Sequence, residues 1–338
     1  MNITANQIYE AVKVAHQDGF RRWIGASIIG HHCTRHIALK FRCAFTDDFP
    51  PRILRVFENG HRAEDRIVAD LCKVHGVTVT ARQAVIDLPG ANGHAGVTLD
   101  GIVSYGGESA VLEMKTAKDS DFCAIAKQGV RKAKPQHYAQ VQFAMLLAEC
   151  GSAVYAAENK DTNELHIECV PFDKSEADRL ARLALSIIGG HDGIKCSDKP
   201  THWQCKMCPA HSLCHARQFP RAHCLTCCHA TPAGGAQWGC AVNGGSVIPE
   251  DFLCQGCAEH VFLPWMVNLP VLDAGEYWVM YGIPDGGGVQ RRLCNAAQAG
   301  GFPSVDSGPG PLILTSARLA GKTLAEVTSI YASEGTHL

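Results

Sequence analysis

Asp100 stands thirteen residues before Glu113-Met114-Lys115, and together these side chains could hold a cation and a water. Gly96 to Tyr105 reads as one strand, a Gly106-Gly107 turn follows, and Ser109 to Thr116 reads as the next. Side chains alternate along a strand, so Val111, Glu113 and Lys115 share one face. Two carboxylates and an ammonium then converge at one end of a hairpin. Burying charges there is unfavourable unless something binds between them. A hard divalent cation with oxygen ligands suits the two acids. The neighbouring lysine can orient and activate a water, and the set suits phosphodiester hydrolysis. The competing reading is a solvated strand edge with no chemistry.

Two further segments must position such a site. Arg52 to Leu71 reads as a helix with Ile53, Phe57, Gly60, Glu64, Ile67, Val68 and Leu71 near one stripe. Glu64 is thus a lone acid on an apolar side, unless it pairs with Arg62 or Arg66. Gly60 weakens the helix but allows close backbone approach. Downstream, Lys134 to Leu147 opens with Pro135 and continues as an apolar helix carrying Gln136, Gln140 and Gln142. A core helix with incidental glutamines is the alternative. Strands are expected near Val77 to Leu88, Gly96 to Ser104 and Ala110 to Lys115, with Ser152 to Glu158 and Leu165 to Pro171 extending the sheet.

An aspartate followed by Glu113-x-Lys115 resembles the signature of the PD-(D/E)xK nuclease superfamily. Gly60-His61-Arg62-Ala63-Glu64 resembles the G-x-x-x-E element of its lambda-exonuclease-like and RecB-like branches. Lys134 to Leu147 resembles the family's post-catalytic helix, although Ala144 occupies the place of the usual tyrosine. The resemblance covers roughly residues 20–215. It implies an α/β fold, a helix-flanked mixed β-sheet of the restriction-endonuclease-like type. It also implies a set of roles. Asp100, Glu113 and the Met114 carbonyl would bind Mg2+ or Mn2+, and Glu64 would complete the shell directly or through water. Lys115 would position the attacking water and neutralise developing charge. Gln140 would orient Lys115 or the scissile phosphate, with Gln136 and Gln142 as rivals.

Composition sets the frame. The 338 residues suffice for two domains, and 46% are hydrophobic, as in folded soluble proteins. No apolar run is long enough to span a membrane, and the first residues lack the pattern of a signal peptide. A cytoplasmic setting is therefore expected, that of the host if the chain is phage-encoded. The formal net charge is −2, so no global field draws in nucleic acid. Lys127, Arg131, Lys132 and Lys134, with Lys118, form a local basic cluster that could follow a phosphate backbone, or be a solvated loop.

Seventeen cysteines, eleven of them between Cys196 and Cys294, point to metal rather than disulfides in such a setting. Cys205, Cys208 and Cys214 supply three ligands, and Cys33 is the candidate fourth, with His211, His215 or Cys43 as substitutes. One cysteine before the core and three after it resembles the iron–sulfur nucleases, which include AddB-type helicase-nucleases and CRISPR-associated adaptation nucleases. A [4Fe–4S] cluster there would close a very long loop; zinc and free thiols are the alternatives. Cys224-x2-Cys227 is a second knuckle suited to a tetrahedral ion. Its partners come from Cys240, Cys254, Cys257 and His260. Trp238-x-Cys240 followed by Gly256-Cys257-x-x-His260 resembles a tail on some phage-encoded nucleases of the superfamily, which favours Cys240 and Cys257 for zinc. So small a Gly- and Pro-rich module needs such a staple to fold.

The expected division is a nuclease domain over 1–218 closed by a cysteine cluster, a zinc-binding module over 219–270, and a small C-terminal module over 271–338. In the last, Glu276 to Tyr281 reads as a strand, Pro284 to Gly288 as a turn run, and Asn295 to Pro311 as a Gly-, Ala- and Pro-rich stretch. Leu312 to Leu314 and a short helix from Leu319 close the chain. The expected function is a metal-dependent deoxyribonuclease, an exonuclease of recombination, repair or phage DNA metabolism, acting on single-stranded DNA or duplex ends. A recombination or single-strand-annealing protein is a candidate partner, and no membrane is involved. The alternatives are a nucleic-acid-binding metalloprotein with a vestigial site and a redox-sensing iron–sulfur protein.

Overall fold

The computed structural model describes residues 3–16, 22–47, 49–284, 291–297 and 311–334. The chain begins with α1 (Ala5–Ala15), β1 (Ile24–Gly25), α2 (Ala26–Ile29), α3 (Thr34–Phe41) and the long α4 (Pro51–Leu71). Short strands β2 (Thr78–Thr80), β3 (Val85–Asp87), β4 (Ala95–Thr98) and β5 (Gly101–Tyr105) lead into β6 (Glu108–Ala117). Then come α5 (Asp119–Gln128), α6 (Val130–Ala133), α7 (Pro135–Leu147), β7 (Ser152–Asn159), β8 (Leu165–Pro171) and α8 (Lys174–Ile188). Among the described residues no helix is long and apolar enough to cross a membrane.

The chain divides into two compact units. The first comprises 1–19, 23–32 and 48–191; the second comprises 20–22, 33–47 and 192–338. In the first, five strands form a mixed sheet in the order β2-β5-β6-β7-β8. Only β6 and β7 run parallel, and the other neighbours are antiparallel. Parallel neighbours need a crossover, and α5 to α7 supply it. On one face, Ile67 of α4 packs with Val103, Leu112, Met114 and Ala156. The period of two along β6 therefore turns Glu113 and Lys115 to the opposite face. Gly30 lets α2 and α7 approach closely, since a Cβ there would lie 2.4 Å from that of Ala139.

Four sequence expectations need correction here. The strand expected from Gly96 to Ser104 is broken at Leu99 and Asp100. Its first part, β4, joins β1 and β3 in a separate sheet, and its second part, β5, joins the main one. Val77 to Leu88 likewise splits into β2 and β3, on different sheets. Gly60 has no close neighbour, for nothing lies within 4 Å of its would-be Cβ. The stripe on α4 also buries Leu54, Ala63 and Ile67, while Phe57 is 42% exposed.

The second unit holds α3 and continues through α9 (Trp203–Lys206) and α10 (His211–His215). A small sheet of β9 (Ala230–Pro232), β10 (Trp238–Cys240) and β11 (Ser246–Val247) follows, with α11 (Glu250–Leu253) after it. The last part is a four-stranded sheet in the order β12 (Val271–Gly275), β13 (Trp278–Ile283), β14 (Arg291–Ala296) and β15 (Leu312–Leu314). Phe219, Phe262, Tyr281, Leu293 and Leu314 pack as its core. The buried Asn295 fastens it by accepting from the Phe262 N–H at 2.9 Å and donating to Ser316 Oγ at 2.9 Å. The expected terminal helix is two pieces, α12 (Ser316–Leu319) and α13 (Leu324–Glu334). Asp285 to Gly288 of the turn run and residues 298–310 of the Gly-rich stretch lie outside the described residues.

Candidate active site and cysteine centres

The break between β4 and β5 places Asp100. Gly101 pairs with Leu112 in the antiparallel ladder, so the next step of that register sets Asp100 opposite Glu113. There Asp100 Oδ2 accepts from the Met114 N–H at 2.8 Å, standing in for the missing strand. The N–H and C=O of a strand residue project to the same edge, so the Met114 carbonyl also faces the Asp100 side. Glu113 is 3% exposed and ion-paired with Lys115.

The electrostatics follow from this crowding. Burial, opposed by Lys115 and reinforced by Asp100 and Glu64, pushes the Glu113 carboxyl up to about 7. Burial and then Asp100 raise Glu64 as well. Burial alone would depress Lys115, but Glu113, Asp100 and Glu64 together hold its ammonium above the usual range. Glu64 pairs with neither Arg62 nor Arg66, because Arg62 takes Glu58 and Arg66 takes the buried Glu158. Three acids and one amine of the first unit thus act on one another, and Asp100, Glu113 and Glu64 repel. Such a set fits a divalent cation, whose charge would relieve that repulsion.

The three glutamines separate. Gln142 is fully buried, donating to the Pro171 carbonyl at 2.9 Å and accepting from the Asp173 N–H at 2.7 Å. Gln136 donates to the Ser27 carbonyl at 2.8 Å. The Gln140 side chain makes no hydrogen bond among the described residues. Two side chains absent from the sequence expectation join this region. Tyr155 is the register partner of Glu113 on β7, and His137 Nδ1 lies 2.8 Å from its hydroxyl. The spacing of three between His137 and Gln140 could have flagged the first. Nothing local marks Tyr155, whose place depends on strand pairing. In the basic cluster, Lys134 pairs with Asp121 at 2.9 Å and Arg131 with Asp173 at 3.3 Å, whereas Lys127 and Lys132 are exposed.

Two cysteine groups assemble in the second unit. Cys33 interacts with Cys196, Cys208 and Cys214, while Cys196 Sγ lies 3.7 Å from Cys205 Sγ. The four expected ligands are therefore neighbours, with Cys196 as a fifth thiol. Cys196, His202 and Cys205 have ligand atoms within 4.8 Å of one another, so this group could hold a metal ion. His36 Nδ1 is 3.3 Å from Cys208 Sγ. Among the substitutes for Cys33, His211 bonds the Pro200 carbonyl at 3.1 Å. Cys43 is influenced by Lys40 and Cys254 rather than by this group. In the second group, Cys224 interacts with Cys257, Cys227 and Cys240, and Cys257 with Cys227 and Cys240. Cys254 instead faces Arg22, Arg221 and Glu250. His260 Nε2 is taken by the His223 carbonyl at 3.0 Å and Thr226 Oγ1 at 3.2 Å. Cys227, Cys228 and His229 also bring ligand atoms within 4.8 Å of one another. Gathered thiols suit soft metals such as zinc or iron–sulfur clusters.

No protein-family model matches the chain, and no curated protein matches it. Among solved structures it is similar to SSO0001 at 16% identity and a TM-score of 0.41, over 62% of this chain and 95% of that one. It is also similar to LHK-Exo, an alkaline exonuclease from Laribacter hongkongensis, at 17% identity and a TM-score of 0.37, over 53% and 91%. The complex of LHK-Exo with dAMP gives 16% identity and a TM-score of 0.35 over the same shares. All three likenesses are too distant to carry the chemistry, which rests on this chain's own residues.

Proposed function

We propose that the first unit is a divalent-metal-dependent nuclease that hydrolyses DNA phosphodiesters, an exonuclease of recombination, repair or phage DNA metabolism. The observation that carries this reading is the meeting of Asp100 with the Glu113-Met114-Lys115 strand, through the 2.8 Å bond from the Met114 N–H to Asp100. Asp100, Glu113 and the Met114 carbonyl would hold Mg2+ or Mn2+, with Glu64 directly or through water. The bound cation would supply Lewis-acid stabilisation of the phosphate and a water of lowered pKa. Glu113 would then exchange its lysine for the cation, freeing Lys115. Lys115 would position the attacking water and offset the charge that develops on the phosphate. Gln140, with its amide free, would orient Lys115 or the scissile phosphate.

In the second unit we assign an iron–sulfur cluster to Cys33, Cys205, Cys208 and Cys214, and zinc to Cys224, Cys227, Cys240 and Cys257. Functionally, residues 1–218 would act as the nuclease with its cysteine cluster, 219–270 as the zinc module, and 271–338 as a small C-terminal module whose sheet packs on Phe219 and Phe262. The test is cleavage of end-labelled DNA with Mg2+ or Mn2+. Wild type should cut, and Lys115→Ala should cut about 10²–10³-fold more slowly while still binding DNA, as when a charge-stabilising donor is lost. Equal cleavage by Lys115→Ala, or none by wild type, would leave a nucleic-acid-binding metalloprotein or a redox-sensing protein as the better reading.

A further inference from the structure

We propose that His137, set by Tyr155, is a phosphate-binding residue of the acidic site, offering a neutral imidazole Nε2–H to a non-bridging phosphodiester oxygen beside Lys115. The identity of the ligand rests on the nuclease reading; the orientation of the imidazole does not.

His137 lies in the first turn of α7, three residues before Gln140, and residues so spaced are neighbours on a helix surface. Tyr155 is fully buried, and its register partner is Glu113. Paired residues on adjacent strands point to the same side, so Tyr155 and Glu113 share a face. The Tyr155 hydroxyl lies 2.8 Å from His137 Nδ1 and has no other hydrogen-bond partner among the described residues. That single contact decides the tautomer. If Nδ1 carried the hydrogen, the buried O–H would be left with nothing to donate to, which is costly. Tyr155 therefore donates and Nδ1 accepts, so the hydrogen of the neutral ring sits on Nε2. Burial, Lys115 and Lys134 all disfavour the cationic ring, with only Asp121 opposing them.

The result is an oriented N–H donor with no acceptor among the described residues. It is half-buried and within the influence of the Lys115 ammonium. A donor and a cation set together, with no anion assigned to the donor, match a phosphate oxygen. The simpler role, packing of the imidazole against Tyr155 at 6.0 Å between ring centroids, predicts no dependence on the donor.

The experiment compares full-length wild type with His137→Ala, His137→Gln and Tyr155→Phe. Cleavage of end-labelled DNA is measured alongside thermal melting and the ring-nitrogen spectrum of His137. Glutamine keeps a distal N–H donor. Loss of the donor in His137→Ala should lower kcat/KM about 10²-fold, and His137→Gln should recover most of it at a similar melting temperature. Wild type should show hydrogen on Nε2, and Tyr155→Phe should let the Nδ1–H form appear. Inorganic phosphate should shift the wild-type Nε2 signal. Wild-type rates in His137→Ala, equal losses in the alanine and glutamine variants, or hydrogen on Nδ1 in wild type would overturn the proposal. If wild type does not cleave DNA at all, the nuclease reading fails by itself. The Nε2 hydrogen and the phosphate shift would then still establish the anion site, and their absence would remove it.

Discussion

At the residue scale, Glu113 is the most constrained group. A carboxyl that ordinarily ionises near 4.5 is held up to about 7 by burial and two neighbouring acids, with only Lys115 in opposition. A raised acid favours the protonated native state. Its contribution to stability is present in full below the unfolded value and is lost as pH rises through the folded one. Without metal, the first unit should therefore lose stability between about pH 4.5 and 7, at up to roughly 1.4 kcal/mol per pH unit. Cation binding must displace that proton, so Mg2+ affinity should rise with pH up to about 7 and flatten above it. Denaturant melts with and without Mg2+ across this range check both. Stability that is flat in pH without metal would show that Glu113 is not buried as described. Glu113 and Lys115 were legible from their alternation with Val111. Tyr155 and the tautomer it sets were not, because they depend on a strand forty residues away in the chain.

At the element scale, α7 carries glutamines with opposite tasks. Gln142 bonds the end of β8 and the turn into α8 from a fully buried position. Gln142→Ala should cost about 1–3 kcal/mol, since it removes two hydrogen bonds, to the Pro171 carbonyl and from the Asp173 N–H, that this buried side chain makes. Gln140→Ala should leave the melting temperature close to wild type and slow cleavage instead. Chemical denaturation beside the DNA assay separates the two, and the reverse pattern would reassign them. The sequence shows α7 and its proline start plainly, but three glutamines within seven residues do not reveal which of them faces what. The break at Leu99 and Asp100 was equally hidden, since residues 96–104 alternate as one strand would. It matters because starting β5 only at Gly101 leaves the Met114 N–H for Asp100 to take.

At the scale of the whole molecule, the two kinds of candidate metal site differ in ligand hardness: acidic oxygens in the first unit, thiols in the second. Burial raises the thiols of Cys214 and Cys224 to about 11, so loading them with metal must release protons. Replacing Cys257 by serine should remove about one bound zinc per chain, as expected for one of four ligands, while Cys254→Ser should keep it. Elemental analysis of the purified variants decides, and zinc lost only from Cys254→Ser would reverse the assignment. Cysteine spacing pointed to two groups of thiols, and two such groups assemble in the second unit. The approach of Cys196 to Cys205, nine residues on, was not legible because it depends on how the chain folds back after α8. The account as a whole turns on the acidic site, and a crystal soaked in Mn2+ addresses it most directly. An anomalous peak coordinated by Asp100, Glu113 and the Met114 carbonyl is the predicted result. A crystal whose first unit shows no manganese there, or whose Asp100 is turned away from Glu113, would contradict it.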